Sequence, residues 1–127
     1  MVRVDLGYLV TMPGVLVDDV NWEDRLSLGE KQRLAMARLI YHKPTFAILD
    51  ECTSAVSGEM EDRLYKICKE LAVTYITISH RPTLKAFHNQ MLTIGDGACG
   101  YVVFFLSSRQ SHQLFTDSVA HINFFCR

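Results

Sequence analysis

Three small groups of residues in this chain are of types that can do chemistry together. The first is Asp50-Glu51, which closes an uninterrupted apolar run, Phe46-Ala47-Ile48-Leu49. Open α/β sheets bind ligands beyond the carboxyl ends of their strands. A carboxylate there can hold a magnesium ion, which neutralises phosphate oxygens. A second carboxylate beside it can orient and deprotonate an attacking water. The second group is Ser79-His80, at the end of a β-branched run beginning at Val73. A histidine delivered to the same sheet edge can donate to a terminal phosphate or to the water. The third is Leu26-Ser27-Leu28-Gly29-Glu30. A serine and a glycine at a helix start present a hydroxyl and free N–H groups at the positive end of the dipole, which is an anion site. Each group alone has a plain structural alternative: acids open loops, lone histidines pack, and capped helices bind nothing. Two neighbouring strands ending in Asp-Glu and Ser-His weigh against that alternative.

The elements that must position these residues follow from periodicity and punctuation. Ser27 followed by Glu30 is a capping box, and Leu34, Ala37, Ile40 and Tyr41 recur at helical spacing until Pro44. The pattern predicts a helix from Ser27 to His42. Phe46 to Leu49 predicts a strand buried on both faces of a parallel sheet. Met60, Leu64, Ile67, Cys68 and Leu71 give an amphipathic helix over Gly58 to Ala72, and Val73 to Ile78 a second central strand. Strand, helix, strand implies a right-handed crossover. Asp5 to Val10 reads as the close of a helix, and Asp18 to Arg25 as a polar connection anchored by Trp22. Met91 to Ile94 and Tyr101 to Leu106 predict a hairpin around Gly95-Asp96-Gly97.

Composition limits the alternatives. With 49% apolar and 21% charged residues in 127, the chain reads as a soluble globular domain rather than a disordered segment. Thirteen basic residues against fourteen acidic ones leave no field that points to nucleic acid. The run Tyr101 to Leu106 is too short to cross a bilayer, and the first residues lack the apolar core of a signal peptide. Cys52, Cys68, Cys99 and Cys126 form no Cys-x-x-Cys pair and read as reduced thiols; the five histidines have no metal-ligand spacing.

Taken in order, these motifs resemble the ABC transporter nucleotide-binding domain. Leu26 to Glu30 looks like its signature motif, with Leu28 where many members have glycine. Phe46 to Asp50 looks like the Walker B strand, Glu51 the catalytic glutamate, Ser54-Ala55-Val56-Ser57 the D-loop, and His80 the switch histidine. Ser57 stands where most families have aspartate. The finer resemblance, through Asn21-Trp22-Glu23-Asp24, Leu49 to Ser57 and His80-Arg81-Pro82-Thr83-Leu84, is to subfamily D, the peroxisomal transporters of fatty acids or acyl-CoA.

The resemblance implies a partial P-loop NTPase fold of α/β class, with parallel central strands and flanking helices but without the Walker A half. It implies ATP and Mg2+ as cofactors, with Asp50 on the metal, Glu51 and His80 catalytic, and Ser27, Leu28, Gly29, Glu30, Asp50, Ser54 and Ser57 at the nucleotide. It implies a second nucleotide-binding domain and a transmembrane domain as partners, at the cytosolic face of the peroxisomal membrane. In such a pair, Ser27 and Gly29 serve the partner's ATP while Asp50, Glu51 and His80 serve their own. No Gly-x-x-x-x-Gly-Lys-Ser/Thr loop occurs in the chain, and that loop supplies the phosphate cradle. The expectation is a polypeptide inactive by itself. The alternatives are a non-catalytic module docking on a complete ATPase domain, or a truncated product. Residues 1–100 carry the resemblance, which thins after Gly100; residues 101–127 read as a divergent apolar tail. Its two phenylalanine pairs are expected to form a strand and a docking helix, or to be unrelated sequence.

Overall fold

The computed structural model describes residues 2–15, 21–94, 101–106 and 123–125. Near the start the chain forms two short 3-10 segments, Val2–Val4 and Gly7–Thr11, rather than the end of an α-helix. Asp5 between them has a positive φ of 56°, which interrupts any continuous helix. Their inward residues Val4, Leu6 and Leu9 are nevertheless core. The polar connection contains one helical turn, α1, Trp22–Arg25, because Asn21 caps it by accepting from the Glu23 N–H.

Helix α2 spans Leu28–His42 and begins with the predicted capping box: Ser27 and Glu30 each accept from the other's backbone N–H. It ends at Lys43, whose left-handed conformation precedes Pro44. The buried stripe runs through Gln32, Met36 and Leu39, with Leu34, Ala37 and Ile40 flanking it. Tyr41, placed by spacing on the apolar face, is instead 82% exposed. At 100° per residue, it lies on the side opposite that stripe.

Strand β1, Phe46–Asp50, is followed by α3, Gly58–Glu70, and by β2, Thr74–Ser79. The two strands are parallel, paired from Phe46↔Thr74 to Asp50↔Ile78. Burial alternates along both, so the expectation of equal burial on both faces is corrected. Ala47, Leu49 and Tyr75 share a core cluster with Met36 and Leu39 of α2 and Leu64, Tyr65 and Cys68 of α3. The opposite face, with Phe46, Ile48 and Ile76, is half-buried. Truncating a fully buried residue such as Leu49 or Leu64 to alanine costs about 2–5 kcal/mol.

A 3-10 turn, Pro82–Phe87, leads from β2 to β3, Gln90–Ile94, which pairs antiparallel with β4, Tyr101–Leu106. The hairpin strands are as expected; the turn Gly95-Asp96-Gly97 lies outside the described residues, as do Asp18, Cys99 and Cys126. β4 also pairs antiparallel with β2. A fifth strand, β5, Asn123–Phe125, adds parallel to β1 and completes the order β3-β4-β2-β1-β5. The second phenylalanine pair is therefore strand and not a docking helix. Its backbone satisfies the N–H and C=O groups along the free edge of β1.

Among the described residues no helix is long and apolar enough to cross a membrane.

Candidate functional site

The carboxyl ends of β1 and β2 carry the chemistry. Register pairs Asp50 with Ile78, so the residues just beyond, Glu51 and His80, emerge side by side. The His80 ring Nδ1 lies 2.9 Å from Glu51 Oε1. His80 is 74% and Glu51 36% exposed, yet Glu51 Oε2 is buried without a hydrogen-bond partner among the described residues. Glu51 has a φ of 47°, a left-handed conformation uncommon outside glycine. Such backbone persists where its surroundings over-determine it, and functional sites are where it clusters. Asp50, half-buried, closes β1 one residue earlier.

Hydrogen-bond logic assigns the proton between them. An ionised Glu51 only accepts, so Nδ1–H of His80 donates to it. In neutral His80 the other nitrogen, Nε2, is then an acceptor. Only the imidazolium holds Glu51 and donates to a phosphate oxygen at once.

The loop after β1 folds back on itself. Ser54 Oγ donates to the Glu51 carbonyl at 3.0 Å and accepts from Gln32 Nε2 at 2.8 Å. Ser57 is the N-cap of α3, accepting from Met60 N–H. Its hydroxyl is thus engaged in ending the loop. Arg81 fastens the other flank: its Nη1 donates to the carbonyls of Thr53 at 2.6 Å and Val56 at 3.3 Å. The same guanidinium pairs at 3.0 Å with Glu61, a carboxylate only 1% exposed. Glu61 also accepts from the hydroxyls of Thr53 and Thr83, at 2.8 and 2.7 Å. Both oxygens of Glu61 accept a hydroxyl hydrogen bond and the guanidinium lies against Oε2, which is what makes the burial tolerable. Removing one partner of such a buried pair costs about 3–5 kcal/mol.

Ser27, Leu28, Gly29 and Glu30 form a separate group at the start of α2. Ser27 Oγ donates to Glu30 Oε2 at 2.6 Å, and the Tyr8 hydroxyl donates to Glu30 Oε1. The Ser27 hydroxyl first, then Tyr8, hold the Glu30 carboxyl down to about 2. Leu28 is 61% exposed at this end. Gly29 touches the neighbouring loop so closely that a Cβ would sit 2.7 Å from the Ala55 carbonyl oxygen.

The predicted residues thus fall into two clusters. Asp50, Glu51, Ser54 and His80 gather at the strand ends, while Ser27 and Glu30 bond to each other and Glu30 also to Tyr8. Of the residues picked out in the sequence at the start of α2, Gly29 approaches the strand-end loop, at Ala55. Sequence reading missed Gln32, Glu61 and Arg81. The signal for Gln32 and Glu61 was a polar residue on the buried stripe of an amphipathic helix; Arg81 was read only as part of the His80 to Leu84 resemblance, with no structural role assigned to it.

The carboxylate of Asp50, half-buried at the end of β1, suits a magnesium ion completed by phosphate oxygens and water. That ion keeps few protein ligands, commonly one or two carboxylates. Among the described residues no group of three or more His, Cys, Asp or Glu could hold a metal unaided. The two described cysteines are buried, and burial pushes the Cys68 thiol up to about 12, where it is unreactive.

Comparison with known proteins gives the same direction. The family model described as "ABC transporter" matches residues 9–54. "ABC transporter D family member 1" of Arabidopsis thaliana is 54% identical over 118 residues, covering 91% of this chain and 8% of that protein. "ATP-binding cassette sub-family D member 3" of Homo sapiens is 49% identical over 99 residues, 78% of this chain and 15% of its own length. A lysosomal cobalamin transporter of Mus musculus is 47% identical over 94 residues, 72% of this chain and 16% of that protein. The chain spans between 8% and 16% of the length of these relatives. A match over 91% of the chain runs past Gly100, so the likeness does not end where the motifs thin.

Proposed function

We propose, from the premise that this chain belongs to the ABC transporter family as part of a nucleotide-binding domain similar to subfamily D, that its strand-end residues form the hydrolytic side of an ATP site. The observation that carries the reading is the 2.9 Å contact between His80 and Glu51 at the ends of adjacent parallel strands.

Magnesium and ATP, when bound, supply a polarised terminal phosphoryl group. Asp50 would hold the metal. Glu51 Oε2, the buried oxygen without a partner, accepts a proton from the attacking water. His80 keeps the carboxylate turned through Nδ1 and, as imidazolium, donates from Nε2 toward the phosphate. Ser27 and the N–H groups of the first turn of α2 face the nucleotide of a second domain, where the helix dipole favours negative charge. Placing Ser27 there asks its hydroxyl to leave Glu30, which it now engages.

The experiment is Glu51→Gln in a form of the protein that also carries a phosphate-binding loop. The amide keeps the shape and loses the base, so ATP is retained in a closed dimer without turnover. Turnover at the wild-type rate would remove Glu51 from the role of base.

The whole protein, on this reading, is a subfamily D transporter subunit coupling hydrolysis to the movement of fatty acid or acyl-CoA at the peroxisomal membrane, its ATPase on the cytosolic face. The motifs Leu49 to Ser57 and His80 to Leu84 support it. A relative of comparable identity carries a lysosomal, cobalamin-related name, which sets the discriminating assay. ATPase stimulation of the reconstituted transporter by acyl-CoA, and not by cobalamin, is the expected result; the reverse preference defeats the acyl assignment.

A further inference from the structure

Gln32 lies one turn into α2 and is 6% exposed. It stands on the same buried stripe as Met36 and Leu39, where an apolar side chain would serve burial equally well. Its amide is instead matched group for group to the loop that carries Glu51. Nε2 donates to the Glu51 carbonyl at 2.9 Å and to Ser54 Oγ at 2.8 Å. Oε1 accepts from the Ala55 N–H at 2.9 Å. Both amide hydrogens and the amide oxygen are used, all on the one loop from Glu51 to Ala55.

The Glu51 carbonyl also receives Ser54 N–H at 3.2 Å and Ser54 Oγ at 3.0 Å. This peptide follows a residue held at φ 47°, a conformation that must be imposed by its surroundings. From one side Gln32 imposes it; from the other, Arg81 ties Thr53 and Val56 to the segment that begins at His80. Gly29, one turn before Gln32, lets the backbone of α2 meet the same loop at Ala55.

We propose that Gln32 is the positioning residue that ties the anion-facing end of α2 to the backbone of Glu51, so that the Glu51 carboxylate meets His80 only while α2 grips the loop. Its functional meaning rests on the nucleotide reading above: a load on Ser27 and Gly29 at one ATP reaches the base that serves another. The mechanical tie itself does not depend on that reading.

The test uses the 127-residue chain and no nucleotide. NMR compares wild type with Gln32→Met, which keeps length and helix propensity but no donor or acceptor, and with Glu51→Gln. Two results are expected in Gln32→Met. The Ala55 amide exchanges about tenfold faster, and the His80 ring 15N signals, read at one pH, move in the direction that Glu51→Gln moves them. A merely structural glutamine would lower the melting temperature and leave the ring signals in place, and that outcome overturns the proposal. Should Glu51→Gln also leave them unmoved, the pair does not form in solution, and the nucleotide reading falls with it. If Gln32→Met does not fold, Gln32→Glu, which keeps the acceptor for Ala55 and loses both donors, is read by the same signals. A failure of ATP trapping in the phosphate-loop form would leave this result standing.

Discussion

At the scale of single residues, the Glu51–His80 pair is the unit on which the proposed hydrolysis depends. Nδ1 of His80 is occupied by the carboxylate, so the imidazole cannot be replaced by a group with one polar atom without giving up one of its two tasks. In a hydrolysing form of the protein, His80→Ala is expected to cost about 2–4 kcal/mol of transition-state stabilisation, as removal of other preorganised donors does. Steady-state ATP turnover measures it; an unchanged kcat reduces His80 to a structural role. Both residues were legible in the sequence because each ends an apolar run, and a strand end in a parallel sheet is where ligands bind. Glu61 showed only as a polar residue on a buried stripe, and its link to Arg81 was not legible. Their pairing is decided by burial at 1% exposure and by contacts across twenty residues of chain, which no local pattern encodes.

At the scale of elements, the contact between α2 and the loop after β1 sets the outcome of substituting Gly29. Glycine to alanine in an exposed helix is ordinarily stabilising, by about 1 kcal/mol. Here the new Cβ meets the Ala55 carbonyl oxygen at 2.7 Å, and a backbone atom cannot step aside cheaply. Gly29→Ala is therefore expected to destabilise by about 1–3 kcal/mol, seen as a lower urea midpoint; a higher midpoint would show that the close approach is absent. A second element-scale consequence concerns the turn Pro82–Phe87 and its packing on β2. His88 Nδ1 donates to the Leu84 carbonyl at 2.7 Å, and Nε2 lies 2.9 Å from Thr77 Oγ1, which Tyr65 also reaches. Burial lowers the pKa of His88 from its ordinary 6.5, outweighing the opposing bond to Leu84. The unfolded chain then takes up the proton first as pH falls. The contribution is complete above about 6.5 and lost progressively below it, until folded His88 also protonates. Urea midpoints should drop between pH 7.5 and pH 5.5, and His88→Gln should flatten the drop; an equal slope in the variant would place its cause elsewhere.

At the scale of the whole molecule, the Glu51–His80 edge lacks a phosphate cradle within these 127 residues. No Gly-x-x-x-x-Gly-Lys-Ser/Thr loop is present to surround the β- and γ-phosphates with N–H groups and a lysine. The 127-residue polypeptide is accordingly expected to bind ATP too weakly for stoichiometric calorimetry at micromolar protein. A saturating one-to-one isotherm would contradict this. The half-buried sheet face bearing Phe46, Ile48 and Ile76 belongs to the same picture. A strand with one face fully packed and the other half-exposed reads in sequence as uniformly apolar, which is why equal burial was expected of it.

The succession α2, β1, α3, β2, the capped start of α2 and the placing of Asp50, Glu51 and His80 at strand ends were fixed locally. Periodicity, capping and strand ends are properties of neighbours in the chain, so they can be read from it. What the tertiary structure alone decided is how those pieces are fastened: Gln32 and Gly29 of α2 on the loop after β1, Arg81 on its far side, and the left-handed turn at Glu51 that results. It also decided that the second phenylalanine pair adds to β1 as a strand. These are contacts between residues distant in sequence, made by side chains whose partners exist only once the chain has folded.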